Sequence, residues 1–181
     1  MSLLVAASLL LRVLAIPLLG RIAWTDFTTQ KIANRDVLLL ICLGLGSLQL
    51  VSVQAGSWWD MGLSAIGCIL LFVALFPFWA LRKLGAGDVK LMAAMPLLIG
   101  GNGLLVFTIF LLVFALATAA LVKNPFLLPA GAFRLYVQHM DRKGVVPFGV
   151  PIAAAAVCAI LFQIYVGVMV ASSSGILQQL G

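Results

Sequence analysis

Residues 85–91 read Gly-Ala-Gly-Asp-Val-Lys-Leu and lie between two long apolar runs of the chain. The two glycines, one residue apart, allow a backbone with φ > 0 or a close approach to another segment. Asp88 follows them directly before an apolar run, at the predicted start of a helix. A carboxylate at the edge of hydrocarbon indicates a functional site when a partner residue can be named. The partner that we name is Asp26.

The composition places this stretch in a membrane protein. The chain has 181 residues, of which 64% are hydrophobic and 9% are charged, whereas an ordinary soluble domain has about 25% charged residues. The mean hydropathy is +1.23. The N-terminus does not read as a signal peptide, because no basic residue precedes its apolar core and Arg12 interrupts the first apolar run. We therefore expect residues 1–181 to form a single membrane-embedded domain.

Six apolar runs predict an all-α integral membrane protein, a bundle of about six transmembrane helices. A helix needs roughly 20 apolar residues to cross the hydrocarbon, and continuous rather than alternating hydrophobicity favours helices over a barrel. The fourth run is short and is the weakest of the six. The runs are residues 3–24, 37–53, 61–81, 89–99, 103–122 and 146–171.

The basic residues predict the orientation of this bundle. All eleven Lys and Arg residues except Arg12 lie in three alternate connections, at residues 21–35, 82–90 and 123–143. The positive-inside rule puts these connections on the cytoplasmic side of the inner membrane and both termini outside. The same alternation supports the short fourth helix, because without it the third basic connection would change sides. Topology and contact with lipid headgroups explain the net charge of +6, so we expect no nucleic-acid partner.

The cysteine and histidine content predicts neither a metal site nor a cofactor. Cys42, Cys68 and Cys158 lie in separate apolar runs without C-x-x-C spacing, and His139 is the only histidine. Such a pattern does not supply a metal-ligand set. The cysteines are expected to be small buried thiols.

The acidic residues are five aspartates, and most of them have an ordinary interpretation. Asp60 and Asp141 fall in connections and are expected to be solvated charges, while Asp36 precedes the second helix and is expected to cap it. Asp26 and Asp88 remain, at the cytoplasmic ends of the first and fourth predicted helices. Both therefore lie at the same membrane face.

Three segments resemble motifs of the prepilin peptidases, a family of membrane aspartyl proteases. Residues 85–91 resemble its G-x-G-D-x-K signature. Residues 26–34, Asp-Phe-Thr-Thr-Gln-Lys-Ile-Ala-Asn, resemble the segment with the family's first aspartate, although Ala33 replaces the usual proline. Residues 146–151, Val-Pro-Phe-Gly-Val-Pro, resemble the Pro-Phe-Gly segment at the start of the last helix. The resemblance thus runs from the first of these segments to the sixth helix.

The resemblance implies an aspartic endopeptidase that removes the leader peptide of membrane-anchored prepilin or pseudopilin precursors at the cytoplasmic face. It implies Asp26 and Asp88 as catalytic residues, with Gly85, Gly87 and Lys90 in the active-site loop. The first cytoplasmic connection is too short for the methyltransferase domain of longer members. The chain therefore resembles the short form, similar to the peptidases of Flp-type tight-adherence pili or of archaeal preflagellin processing. The oligomeric state and the choice of base between the two aspartates stay open.

Other interpretations of these residues also stay open. Asp88 fits an N-cap, which would be compatible with catalysis. A small transporter or channel subunit would use both carboxylates for ions or protons, although transporters place their sites near the midplane. Presenilin-type proteases share Gly-x-Gly-Asp, but their first aspartate lies within a helix, whereas Asp26 is expected in a polar stretch. Arg12 must face the bundle interior unless the first helix is shifted across the bilayer.

Overall fold

The structure, a computed structural model, describes residues 3–124 and 148–180, with side chains described as far as residue 170. These parts of the chain form six α-helices, and the short 3₁₀ turn Gly101–Gly103 joins the fourth to the fifth. The predicted all-α membrane bundle is confirmed. His139 and Asp141, on which two sequence predictions rest, lie outside the described residues. The helices are α1 Leu3–Thr29, α2 Asn34–Ala55, α3 Trp59–Ala80, α4 Ala86–Ile99, α5 Leu104–Lys123 and α6 Gly149–Leu180.

The short helix α4 forms the centre of the bundle. The five other helices are long and apolar enough to cross a membrane, but the 14 residues of α4 extend only about 21 Å. Leu91, Met95 and Leu98 are fully buried, and α4 packs against α2, α3 and α6. A helix that is apolar on every side belongs in such an interior. The fourth run is therefore a helix as predicted, but one too short to span hydrocarbon about 30 Å thick alone.

Small residues on the neighbouring helices make room for α4. A Cβ placed on Gly44 of α2 would lie 2.6 Å from the backbone oxygen of Leu97. On α3, a Cβ placed on Gly67 would lie 3.3 Å from Cβ of Pro96. Such close contacts are typical of helix packing in membranes. There the hydrophobic effect does not drive helices together, and small residues allow the close van der Waals packing that does.

Helix α1 continues five residues beyond the predicted end. The hydroxyls of Thr25, Thr28 and Thr29 donate to backbone carbonyls four residues earlier, at 2.7–3.1 Å, and the helix ends at Gln30, whose φ is +55°. Hydropathy marks where a helix leaves the hydrocarbon, not where its backbone hydrogen bonds stop. Asp26 thus lies within a helix, and the predicted contrast with presenilin-type proteases is wrong.

The N-terminus of α2 also differs from the prediction. The helix begins at Asn34, and the backbone N–H of Asp36 already donates to the carbonyl of Ala33. Asp36 is therefore inside the first turn and is not the N-cap. Its buried Oδ2 lies 3.7 Å from Nε of Arg21 on α1. The carboxylate joins α1 to α2 by this ion pair.

At the other end of α4, a polar cluster of Arg12, Asp60 and Gln163, the Arg12 cluster, links the helices. Nη1 of Arg12 donates to Oε1 of Gln163 at 2.8 Å, and Nε2 of Gln163 donates to the carbonyl of Ile99 at 2.9 Å. This bond satisfies a carbonyl that the helix end leaves without an intrahelical partner. Asp60 accepts the backbone N–H of Asn102 and interacts electrostatically with Arg12. Arg12 therefore faces the interior, and the prediction that Asp60 is only solvated is wrong.

The three cysteines are free thiols, and their burial differs from the expectation. Cys68 and Cys158 are partly buried, but Cys42 is exposed on the surface of α2. The prediction of a buried thiol is wrong for Cys42 because an apolar run in a membrane helix has outward-facing positions as well as inward-facing ones.

Candidate active site

Asp26 and Asp88 lie at the same end of the bundle, opposite the Arg12 cluster. Asp26 lies in the last turns of α1 and is 5% exposed, while Asp88 is partly buried in the first turn of α4. The negative charge of Asp26 acts on the carboxyl of Asp88. The structure therefore brings together the two carboxylates that the sequence pairs.

The first turn of α6 holds the carboxylate of Asp26. The backbone N–H of Gly149 donates to Oδ2 of Asp26 at 2.8 Å, and the N–H of Val150 also donates to this carboxylate. Both amides lie at the helix N-terminus, where N–H groups have no partner inside the helix. Asp26 supplies that partner, so its position depends on where α6 begins.

Asp88 takes part in capping its own helix, but not as the N-cap residue. The N-cap of α4 is Gly85, with φ −71° and ψ 144°. The carboxylate of Asp88, three residues later, accepts the backbone N–H of Gly85. A side chain at the third helical position that binds back to the N-cap amide is the second half of a capping box. The prediction that Asp88 is the N-cap is therefore wrong, since the residue lies in the first turn and its carboxylate binds back to the N-cap amide.

The surroundings of Asp88 favour its protonated form. Asp88 lies at the start of α4, outside the five spanning helices. Burial raises the pKa of its carboxyl to about 6, and the negative charge of Asp26 adds to this increase, while the hydrogen bond from Gly85 opposes it. Two neighbouring carboxylates do not ionise together easily, so one of them keeps a proton to higher pH. This pair can therefore hold one proton close to neutral pH.

Glycines 85 and 87 provide close approach, not an unusual backbone. Neither has a positive φ, so the first of the two predicted roles is wrong, and close approach to another segment is seen only at Gly87. A Cβ on Gly87 would lie 2.9 Å from Cβ of Ile32, in the connection between α1 and α2. A Cβ on Gly85 would lie 2.9 Å from Oδ2 of Asp88. The absence of a side chain at Gly85 leaves room for the carboxylate of Asp88, and its absence at Gly87 lets the start of α4 pack against the connection between α1 and α2.

Lys90 lies at the same end of α4, but not at the carboxylates. Its Nζ donates to Oδ1 of Asn34 at 3.1 Å. Residues two apart on a helix point about 200° away from each other, so Lys90 and Asp88 occupy opposite sides of α4. Lys90 and Asn34 are the polar residues of an otherwise apolar groove of about 430 Å³ between α2 and α3. Lys90 thus joins the starts of α2 and α4, and its place in the active-site loop stays a prediction.

Gly149 is a part of this site that the residue-level predictions missed. The Pro-Phe-Gly resemblance pointed to its segment but gave no reason for any one residue. The structure supplies that reason, because a Cβ on Gly149 would lie 2.7 Å from Oδ2 of Asp26. A glycine directly after Pro-Phe, at the start of an apolar run, is the only sequence signal for this contact.

The chemical content of the site is a pair of carboxyl groups, one of which keeps its proton to higher pH. Such a pair provides both a base and an acid for moving protons during a hydrolysis. Within residues 3–124 and 148–170, no group of three or more His, Cys, Asp or Glu side chains lies close enough to hold a metal ion.

Comparison with known proteins identifies the family. The profile of the type IV leader peptidase family matches residues 13–122, which is more than half of the chain. The match includes Asp26 and Asp88 but ends before Gly149, so it supports the resemblance for the first two segments only. Comparisons with curated proteins and with solved structures gave no match. The chain belongs to the type IV leader peptidase family.

Proposed function

We propose that this protein is an aspartic endopeptidase that removes the leader peptide from membrane-anchored prepilin or pseudopilin precursors. Membership of the family makes it a leader-peptidase-type protease. The observation that supports an aspartic mechanism is the pairing of Asp26 with Asp88, in which the charge of the first acts on the second.

Peptide hydrolysis by this pair needs one ionised and one protonated carboxyl group. The ionised group takes a proton from water while the water oxygen bonds to the scissile carbonyl carbon, and the protonated group gives its proton to the carbonyl oxygen. The resulting diol collapses as its C–N bond breaks. The amine leaves with the proton taken from water, and a hydroxyl proton returns to the other carboxyl group. The pair ends in its starting state, without a covalent intermediate.

The position of the pair suits a substrate that is anchored in the membrane. Asp26 and Asp88 lie within the basic stretches at residues 21–35 and 82–90. The positive-inside rule supports placing this end at the cytoplasmic face of the inner membrane, with both termini outside. A precursor whose apolar helix lies beside the bundle would present the bond just before that helix at the level of the carboxylates.

The proposed cleavage is tested by co-expressing the protein with a prepilin-type precursor and measuring the intact mass of the precursor's N-terminus. We expect removal of the leader at one bond. A precursor that keeps its full mass in the presence of accumulated, membrane-inserted protein would contradict the proposal.

The proposed orientation predicts which connections react with a reagent outside the cell. In a variant whose three native cysteines are replaced by alanine, we introduce Ser57→Cys between α2 and α3 or Lys83→Cys between α3 and α4. A membrane-impermeant maleimide should label position 57 in intact cells and position 83 only after the membrane is opened. Labelling of position 83 in intact cells would reverse the topology and move the carboxylates to the outer face.

The close approach of Gly87 to Ile32 predicts that a side chain at this position blocks cleavage. Gly87→Val should abolish processing, because its side chain would displace the start of α4 and with it Asp88. Gly62→Val is the matched control, since a Cβ on Gly62 of α3 meets nothing within 4 Å. Precursor processing and the amount of inserted protein are measured together. Full activity of Gly87→Val would show that the contact with Ile32 has no part in the site.

A further inference from the structure

The hydrogen-bond partners of the two carboxylates differ, and this difference bears on their roles. Asp26 accepts two backbone N–H groups from another helix, those of Gly149 and Val150. Asp88 accepts one, from Gly85. Hydrogen bonds from N–H donors favour the ionised form of a carboxyl group, and such charge-assisted bonds are stronger than neutral ones.

The direction of α6 adds to the stabilisation of a charge at Asp26. The carboxylate lies at the N-terminus of a helix that begins at Gly149, and the partial positive charge of a helix N-terminus stabilises anions within the first turn. Asp88 lies in the first turn of the shorter helix α4 and also faces the negative charge of Asp26. Burial of Asp26, which is 5% exposed, opposes its ionised form, and the α6 amides and the helix N-terminus offset that cost. Asp88 has fewer such donors, so when the two groups share one proton, that proton is more stable on Asp88.

We propose that the N-terminus of α6 fixes Asp26 as the ionised member of the pair, so that Asp26 is the base toward water and Asp88 is the acid toward the scissile carbonyl. This inference rests on the proposed function and assigns the two roles that the sequence leaves open. Gly149 is then a positioning residue. It touches no reacting atom, but it brings the α6 amides to Asp26.

The packing around Gly149 explains why this position has no side chain. A Cβ there would lie 2.7 Å from Oδ2, 2.8 Å from Cγ and 3.0 Å from Cβ of Asp26. Real Cβ atoms do not approach other heavy atoms this closely, so any side chain at this position would push the carboxylate away from the amides. The hydrogen bond from the N–H of Gly149 to Asp26 therefore depends on the absence of a side chain at Gly149.

Other ionisable groups near α1 do not provide an alternative charge partner for Asp26. Helix α1 packs against α2 and α6. On α2, Asp36 is paired with Arg21 of α1 and the side chain of Arg35 is exposed, while α6 has no charged residue from Gly149 to its end. None of these charges acts on Asp26. The pH dependence of the reaction should therefore report the Asp26–Asp88 pair, as a property of both groups together.

The test compares Gly149→Ala with Gly167→Ala on the same helix, where a Cβ meets nothing within 4 Å. The assay follows cleavage of a quenched fluorescent peptide, which spans a prepilin leader junction, by purified protein in detergent. Gly149→Ala should lower kcat by about 100-fold, as misplacement of a catalytic group by about 1 Å does, with KM unchanged. The acidic limb of its pH profile should move to higher pH, because the ionised form of Asp26 loses hydrogen bonds. Gly167→Ala should match the wild type.

A second variant removes a donor without adding a side chain beside the carboxylate. Val150→Pro deletes one N–H in the first turn of α6, where proline is tolerated, and Gly149 has no Cβ to clash with the ring. We expect a smaller loss of kcat and a shift of the acidic limb in the same direction. If Gly149→Ala does not accumulate, this variant decides the question.

The outcomes separate this inference from the proposed function. Wild-type kcat and an unshifted pH profile in Gly149→Ala or Val150→Pro would overturn the role of α6, as would a loss confined to KM. If Asp26→Asn is inactive in the same assay, the two-aspartate mechanism survives that result. If Asp26→Asn is active, the proposed function itself fails.

Discussion

Asp26→Asn and Asp88→Asn should each abolish leader cleavage, with turnover lowered by about 10²–10⁴-fold or more, the usual contribution of a general acid or base. An amide has nearly the size of a carboxyl group and keeps much of its hydrogen bonding. The side-chain amide oxygen introduced at position 26 can still accept from the backbone N–H groups of α6, but it cannot take a proton from water. At position 88, the amide cannot give a proton to the carbonyl and recover it. We therefore expect inserted, folded and inactive proteins.

The double variant provides a sharper form of this test. Residues that act as a unit are not additive in their effect on rate, so Asp26→Asn combined with Asp88→Asn should be no slower than the slower single variant. Cleavage of a prepilin-type precursor by purified protein in detergent measures all three. Rate losses that multiply in the double variant would indicate two independent contributions instead of a shared proton.

Asp36→Asn and Asp60→Asn serve as contrasts of the same chemical kind. Asp36 pairs with Arg21, and Asp60 interacts with Arg12 and Asn102. Both carboxylates hold helices together, so their loss should lower the thermal stability while the folded protein keeps its turnover. Thermal unfolding and kcat are therefore measured on each preparation.

Retained turnover in Asp26→Asn or Asp88→Asn would contradict the aspartic mechanism. Carboxylates within membrane helices also bind ions or relay protons, and that result would direct attention to a transporter or channel function for the pair. Loss of turnover that results from loss of folding would be distinguished from a catalytic defect by the thermal unfolding curve.

The helices could be predicted because the membrane imposes them. Backbone polar groups in hydrocarbon must be satisfied within a segment, so continuous apolar runs indicate helices with little ambiguity. The end of α1 could not be found this way, since Thr28 and Thr29 extend the helix through hydroxyl-to-carbonyl bonds beyond the apolar run. The central position of α4 was not predictable either, because its apolar composition fits a span and a buried helix equally well.

The sequence predicted only those parts of the site that lie within short motifs. Residues 85–91 and 26–34 contain the two aspartates, which were paired by their predicted common membrane face and by the resemblance of these segments. The bond from Gly149 to Asp26 joins residues 123 positions apart, and that from Arg12 to Gln163 joins residues 151 apart. Such contacts depend on the packing of whole helices. Hydropathy therefore left Arg12 unassigned and Asp60 misread as a solvated charge.

The second large effect is expected at Gly44, where α2 crosses the central helix. A Cβ at this position would lie 2.6 Å from the backbone oxygen of Leu97, 2.7 Å from its carbonyl carbon and 2.8 Å from Cα of Leu98. All three are backbone atoms, so no side-chain rotation relieves the contact. Gly44→Ala must therefore separate α2 from α4, and its destabilisation should lie at or above the upper end of the roughly 1–3 kcal/mol typical of overpacking.

Gly46→Ala is the matched control, because it adds the same methyl group to the same helix two residues later. Its nearest neighbour is Cδ1 of Leu11 at 3.2 Å, the end of a flexible side chain that can move aside. Thermal unfolding in detergent should show a large loss for Gly44→Ala and little change for Gly46→Ala. Because α4 carries Asp88, whatever Gly44→Ala protein does fold should also cleave more slowly. Equal stability of the two variants would show that the α2–α4 crossing does not depend on direct backbone contact at Gly44.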